Sequence, residues 1–443
     1  MAAVLAAVVL AVPRFGDPRP WVLEAKGALL ILALGGSAVW ALRSGRGLPR
    51  PDTAAAWLAW ALAGAHALSA LARGPGEAEV FRTAVLAALA LALTWASCLP
   101  AGGPPILVAT LTTLGAITGL LVTGQRLGWD RLGLDAAANG PGAATFDHKG
   151  LAAAFLAISL PVCLGLFLCS SGRRRAGACI AMTCVASGLL LGETRAAWLG
   201  GAAGVTVFLA LFARRPRSLA WGALALGLPV AAVALANPGL GGRLWDRATS
   251  IVRNRDPRLL LWEASWTAWK ERPLLGHGPA RYAEAVAPPA ARALSEGQID
   301  SFSAFAHNDL LQVGVEAGWL GAGILLGLAW VLARGLARGS PGASPIRPAL
   351  GGALAAGAVN AFLCFPLQDP GCALALALLA GLAAGLGRTP APARPSASRP
   401  WLAGLAAAGL LLSLRLPLAK ALAGAHPAGA ARLAPRTVPL VLR

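Results

Sequence analysis

HNDLLQVGVEAGWLGAGILLGLAWVLA, residues 307–333, opens on three polar side chains and then runs apolar to its end. After Asp309 its one ionisable residue is Glu316. About 20 mostly apolar residues suffice for a helix to cross a bilayer. The same reading applied outward gives about thirteen candidate spans. They are 1–13 (short), 22–42, 54–72, 82–99, 105–124, 151–170, 178–192, 196–212, 219–237, 307–333, 349–365, 370–387 and 401–420. Composition agrees with so many spans. The chain has 443 residues, 57% of them hydrophobic and only 13% charged, and its mean hydropathy is +0.65. One soluble core cannot hide that much apolar surface, which excludes a soluble enzyme, a disordered protein and a secreted disulfide scaffold. The expected fold is all-α: a polytopic integral membrane protein with about 12–13 transmembrane helices and one long extracytoplasmic loop carrying short helices.

Charge then orients the chain. Its net charge is +19, but the basic residues cluster between apolar runs rather than on solvated faces, so nucleic acid is not the expected partner. With the N-terminus placed in the cytoplasm, the cytoplasmic segments hold Arg43, Arg46 and Arg50; Arg173, Arg174 and Arg175; Arg214, Arg215 and Arg217; Arg334, Arg338 and Arg347; and Arg388, Arg394 and Arg399. These segments carry no acid between their arginines, which is the positive-inside pattern. The N-terminus, MAAVLAAVVLAVPRF, lacks a basic n-region and reads as a first helix rather than a signal peptide. The expected organisation is a transmembrane bundle over 1–237, a long extracytoplasmic loop over 238–306, further transmembrane helices over 307–423 and a tail over 424–443. Residues 389–400, rich in Pro, Ala and Ser, read as a flexible cytoplasmic linker. The seven cysteines lie within or beside apolar runs at no metal-ligand spacing, and read as small apolar packers.

Four regions could carry chemistry. The loop over 238–306 holds nine basic residues against seven acids. Arginine forks bind phosphate bidentately, so this surface suits an anionic lipid head group, such as a lipid-linked diphosphate; the plainer alternative is a solvated loop contacting anionic lipid. Within it, RLLLWEASWTAWKERP predicts a short amphipathic helix with Leu259, Trp262, Trp266 and Trp269 at helical spacing, ended by Pro273. In GETRAAW (192–198) two helices meet with almost no loop, which puts Arg195 at the membrane boundary or just within it. An ionisable residue there is a functional candidate by default; the alternatives are snorkelling or an ion pair with Glu193. His307 opens a helix, whose dipole disfavours the imidazolium, and a neutral imidazole can take a proton from a hydroxyl. A capping or structural histidine is the alternative, with Asn308 or Asp309 equally able to cap. Glu316 either pairs with an arginine or lines the same cavity. His148 and Lys149 end the 125–150 loop, while His66, His277 and His426 show no pairing at zinc-ligand spacing. No metal, nucleotide or other cofactor is called for.

Taken in order, these motifs resemble the O-antigen ligase and O-antigen polymerase superfamily of bacterial integral-membrane glycosyltransferases. ATFDHKGLAAAFLAISLP (144–161) is similar to its G-x-F-x-H-K-N element, and LLLGETRAAWLGG (189–201) to its T-x-S-R-x-x-W/L element. RLLLWEASWTAWKERPLLGHGPARY (258–282) is similar to R-x-x-x-W…P-L-L-G-x-G, and HNDLLQVGVEAGWLG (307–321) to H-N-x-x-L-x-x-x-x-E-x-G-x-x-G. FPLQDP (365–370) resembles a late turn of the family. The chain departs at Gly150, where Asn is usual, and at Thr194, where Ser usually precedes the Arg. Its last helix and basic tail are not part of the pattern.

The resemblance implies a reaction at the periplasmic face of the bacterial inner membrane. A glycan carried on undecaprenyl diphosphate would be attacked by an acceptor hydroxyl, of lipid A–core in a ligase or of a growing glycan in a polymerase. The energy would come from the lipid-diphosphate bond, without metal or nucleotide. Arg195 and Arg258 would hold the diphosphate, Arg255 could share it from one turn earlier, and His307 would be the base. Asn308, Glu316, His148 and Lys149 are possible supporting residues. Ligase is the favoured reading because of the His-Lys element. The alternative from another class is a polytopic transporter or flippase, against which stands the concentration of polar residues in one outer loop and the lack of an inverted repeat.

Overall fold

The computed structural model describes residues 1–11, 22–44, 48–49, 51–99, 103–130, 141–212, 257–295, 303–338 and 346–386, with scattered positions inside 227–246 and 411–417. Outside the described residues, apart from those positions, lie the expected spans at 219–237 and 401–420, the linker at 389–400, the tail, and the loop segments 238–256 and 296–302 with Arg255. The described residues form helices and no strand. In chain order they are α1 (Ala2–Leu10), α2 (Val22–Arg43), α3 (Ala54–Arg73), α4 (Glu77–Ser97), α5 (Gly103–Arg126), α6 (Lys149–Cys169), α7 (Gly172–Leu191), α8 (Arg195–Phe212), α9 (Pro257–Glu271), α10 (Tyr282–Ser295), α11 (Asp309–Arg338), α12 (Ile346–Leu363) and α13 (Pro370–Gly385).

Among the described residues, nine helices, α2–α8, α11 and α12, are long and apolar enough to cross a membrane. The protein is an all-α polytopic membrane protein. The short first run yields only the nine residues of α1, well under a bilayer's thickness. α7 begins at Gly172 rather than near 178, because Arg173–Arg175 continue as helix beyond the apolar stretch; arginine is a good helix former.

α6 is apolar all round, and it is buried almost throughout between α5, α7, α8 and α12. Small residues bring the backbones together. A Cβ on Gly119 of α5 would lie 2.2 Å from the Cys184 carbonyl oxygen of α7, and one on Gly204 of α8 would lie 2.7 Å from the Gly352 oxygen of α12. Such close crossings are how helices associate where lipid gives no hydrophobic drive.

The two loop helices dock on the start of α11. Trp269 of α9 lies over Gly314, and the Ser265 hydroxyl meets that of Tyr282 on α10 at 2.7 Å. The expected Leu259–Trp262–Trp266–Trp269 stripe is not one buried face. Leu259 and Trp266 are exposed, and the packed side is Leu261, Ala264, Ser265, Ala268 and Trp269. Trp266 instead meets the exposed Trp319 edge-on, 6.1 Å between ring centres, an arrangement suited to an aromatic belt at a membrane interface.

The helix ends separate two kinds of arginine. Arg43, Arg173–Arg175, Arg334, Arg338 and Arg347 fall at one end of the bundle. Arg347 is itself buried, its Nε donating to the Leu336 carbonyl at 2.8 Å. The loop helices, the 141–148 segment and the 365–370 turn gather at the other end.

Candidate functional site

His307 sits just before α11 with φ 51, a left-handed conformation. Its position is fixed by the residues around it. The Trp262 indole donates to the Ala306 carbonyl at 3.0 Å, and the Ala306 N–H donates to Gln312 Oε1 at 2.9 Å. Gln312 Nε2 in turn donates to Glu316 Oε1 at 2.7 Å, and His66 Nε2 lies 3.9 Å from Glu316 Oε2. Glu316 lies within electrostatic reach of Arg82, as the arginine-pairing alternative expects. It is buried two turns down, anchoring the side chain that holds the turn.

Asn308, not Asp309, caps the helix: its Oδ1 accepts from Leu310 N at 3.0 Å and Leu311 N at 3.1 Å. The Asp309 carboxylate reaches across to the 365–370 turn, accepting from Leu367 N and Gln368 Nε2, both at 2.9 Å. Arg82 donates to the Leu367 carbonyl at 3.1 Å and also to Gln368 Oε1. At the far side of the turn, Asp369 caps α13 through Cys372 N at 2.8 Å and lies 4.0 Å from the fully buried Lys26.

This turn presents Phe365 to both histidines. Its ring centre is 4.8 Å from that of His307, edge-on, and 6.0 Å from that of His148, and Phe305 stacks on it at 4.7 Å. The two imidazoles are 6.3 Å apart. His148 caps α6, its Nδ1 accepting from Gly150 N at 3.0 Å. Burial first, then the charges of Lys149 and Arg258, bring the His148 imidazolium down to a pKa of about 4. Arg258, in the first turn of α9, thus lies within electrostatic reach of His148, and it also acts on Cys364. Beside them, burial and then the nearby Asp369 and Glu24 push Asp147 up to about 6, against the pull of Lys26.

Arg195 is the first residue of α8. Gly204 adjoins Gly352, and Gly200 adjoins Ala356 and Asn360, so the antiparallel pair brings Arg195 to the level of Cys364. Cys364 Sγ is the atom that a Cβ on Gly150 would approach to 3.2 Å. Arg195 therefore stands at the same bundle end as His148. Glu193 bridges to Arg126 at 2.8 Å, while Arg126 Nε donates to the Leu191 carbonyl at 2.6 Å. Lys149 opens α6, half-buried.

Residues 180–326 match the O-antigen ligase family model. The match covers about a third of the chain and contains Arg195, Arg258, His307 and Glu316. It agrees with the family resemblance of the motifs. A search of curated proteins finds no match. The 144–161 element and the 365–370 turn fall outside the O-antigen ligase match, yet His148 and Phe365 from them adjoin His307.

The sequence alone did not single out Gln312, Arg82, Lys26 or Phe365, and it offered Asp309 only as a cap. Lys26 and Arg82 carried a readable signal, since an ionisable residue inside an apolar run is costly. Gln312 and Phe365 carried none.

Proposed function

We propose that the protein is an O-antigen ligase, moving a glycan from undecaprenyl diphosphate to a hydroxyl of lipid A–core at the periplasmic face of the inner membrane. The observation that carries this reading is the gathering of His307, His148 and Arg258 at one end of the bundle, the end that also holds Arg195. In the step proposed, the acceptor oxygen attacks the anomeric carbon and a new C–O bond forms. The bond from that carbon to the diphosphate oxygen breaks, and its electron pair leaves with the diphosphate. The hydroxyl proton passes to the His307 imidazole. Arg195 and Arg258 stabilise the charge gathering on the leaving group. The lipid-diphosphate bond supplies the energy, so neither metal nor nucleotide takes part, and transfer by the purified protein should be insensitive to EDTA.

An apolar cavity of about 660 Å³ supports a lipid-linked donor. It runs along α11 and α12 from Asp309, Leu310 and Leu367 at the site end to Leu336, Leu211 and Gly351 at the other. A polyprenyl chain laid there gains roughly 0.8 kcal/mol per buried CH₂ relative to water, though less relative to lipid. Ala358 lines it and is exposed, so Ala358→Trp should fill it without disturbing the core. The expected result is a KM for the full-length lipid donor raised about tenfold with kcat nearly unchanged, the mark of lost uniform binding. An unaltered KM would remove the cavity from the donor path.

The function itself is tested with a lipopolysaccharide gel from a deletion strain. Long lipid-linked glycan left unattached to lipid A–core is the expected outcome. Lipid A–core capped with a single repeat unit would make the protein a polymerase. An unchanged ladder would overturn both readings and favour a transporter.

A further inference from the structure

His148 is held so that one nitrogen is used and the other is left over. Nδ1 accepts the Gly150 N–H at the start of α6. A neutral ring whose Nδ1 accepts must carry its proton on Nε2. The ring is half-buried, and Nε2 has no hydrogen-bond partner among the described residues. The N–H on the far side of the ring is therefore unpaired among the described residues, on a ring whose centre lies 6.3 Å from that of His307 and within electrostatic reach of Arg258. Gly150 permits this pose, because a Cβ there would stand 3.0 Å from His148 Nδ1 and 3.2 Å from Cys364 Sγ. The Phe365 ring lies tilted to that of His148, 6.0 Å between ring centres. The surroundings are positive, from Lys149 and Arg258, which suits an anion and disfavours a second cation.

We propose that His148 is a fixed hydrogen-bond donor, giving its Nε2–H to a non-bridging oxygen of the departing diphosphate that Arg258 holds, while His307 alone takes the acceptor's proton. The assignment rests on the transfer reaction proposed above and adds a division of labour between the two histidines. The first imidazole is locked into its donor tautomer by the helix it caps. A neutral donor aimed at developing charge contributes to the rate without needing to be recharged each cycle.

Two substitutions separate donation from capping. In His148→Asn the side-chain oxygen replaces Nδ1 as the cap acceptor, but nothing replaces Nε2–H. In His148→Gln the amide nitrogen reaches the Nε2 position and the cap is weakened. Purified variants are assayed with the lipid-linked donor and melted in detergent. His148→Asn should melt near wild type with kcat lowered about 10–100-fold and donor KM little changed. His148→Gln should melt lower yet turn over faster than His148→Asn. A His148→Asn protein at wild-type kcat, or a His148→Gln protein no faster than it, would overturn the donor role. His307→Ala is run alongside. If it is dead while His148→Asn is fully active, only the donor assignment fails; if it is fully active, the transfer mechanism fails with it.

Discussion

His307→Ala is expected to lower glycan transfer by about 10²–10⁴-fold while the chain still inserts and folds. The imidazole is the candidate base, and an alanine offers nothing to take the acceptor's proton. One structural complication is built in. His307 has φ 51, and alanine in the left-handed region costs roughly 1 kcal/mol. His307→Asn is the matched control, since asparagine visits that region readily and is no base at neutral pH. Both variants should lose transfer alike, and the asparagine form should melt closer to wild type. Arg258→Ala should lose about 10²–10³-fold by removing charge from the leaving group. The measurement is single-turnover transfer with purified protein, beside complementation on a lipopolysaccharide gel. Transfer by His307→Asn at the wild-type rate would sink the base assignment, and normal O-antigen attachment by Arg258→Ala would sink the diphosphate role.

The bundle was readable in the chain because each span carries its signal within its own 20 residues. The apolar run after His307 needs no partner to declare itself. His307 and Arg195 stood out as candidates for a related reason, since polar residues at the edges of apolar runs are conspicuous, whereas Arg258 was singled out only by the motif resemblance. The supports of the site were not readable, because their partners are far off in sequence. Asp309 looks like a cap, and it is the acceptor for a turn nearly 60 residues away. Glu193 looks like the neighbour of Arg195, yet Arg126 comes to it from the end of α5. Glu316 looks like a cavity residue, and its hydrogen bond to Gln312 turns it into an anchor for the Ala306 peptide. The loop stripe misled for another reason. Helical spacing of tryptophans predicts a buried face, but Trp266 is exposed, a placement that suits tryptophan where a membrane interface covers it.

Gly318→Ala is expected to destabilise the protein by on the order of 3 kcal/mol, more than any other glycine replacement in α11. The helix is interrupted there: Gly318 has φ 63 and ψ −162, a region open essentially to glycine alone. The interruption exchanges hydrogen bonds rather than losing them. In an unbroken helix the Trp319 and Leu320 N–H groups would donate to the Val315 and Glu316 carbonyls. Here they donate to Pro273 O at 2.7 Å and Leu274 O at 3.4 Å. The released Val315 and Glu316 carbonyls accept from His277 N at 2.8 Å and Gly278 N at 3.0 Å. The P-L-L-G-x-G segment is thereby stitched to the H-N…E-x-G segment, and the loop helix bearing Arg258 is tied to the helix bearing His307. A Cβ at 318 would lie 2.3 Å from the Leu274 carbonyl carbon and oxygen, and 2.6 Å from Pro273 O. Backbone strain and backbone collision therefore act together, and no side chain can move aside to relieve them. Gly323→Ala, five residues on with nothing within 4 Å of its Cβ, should be neutral or stabilising by up to about 1 kcal/mol. Thermal melting of the two variants in detergent decides it. If Gly318→Ala melted with Gly323→Ala, the exchange of hydrogen bonds between the two segments would not be what joins Arg258 to His307.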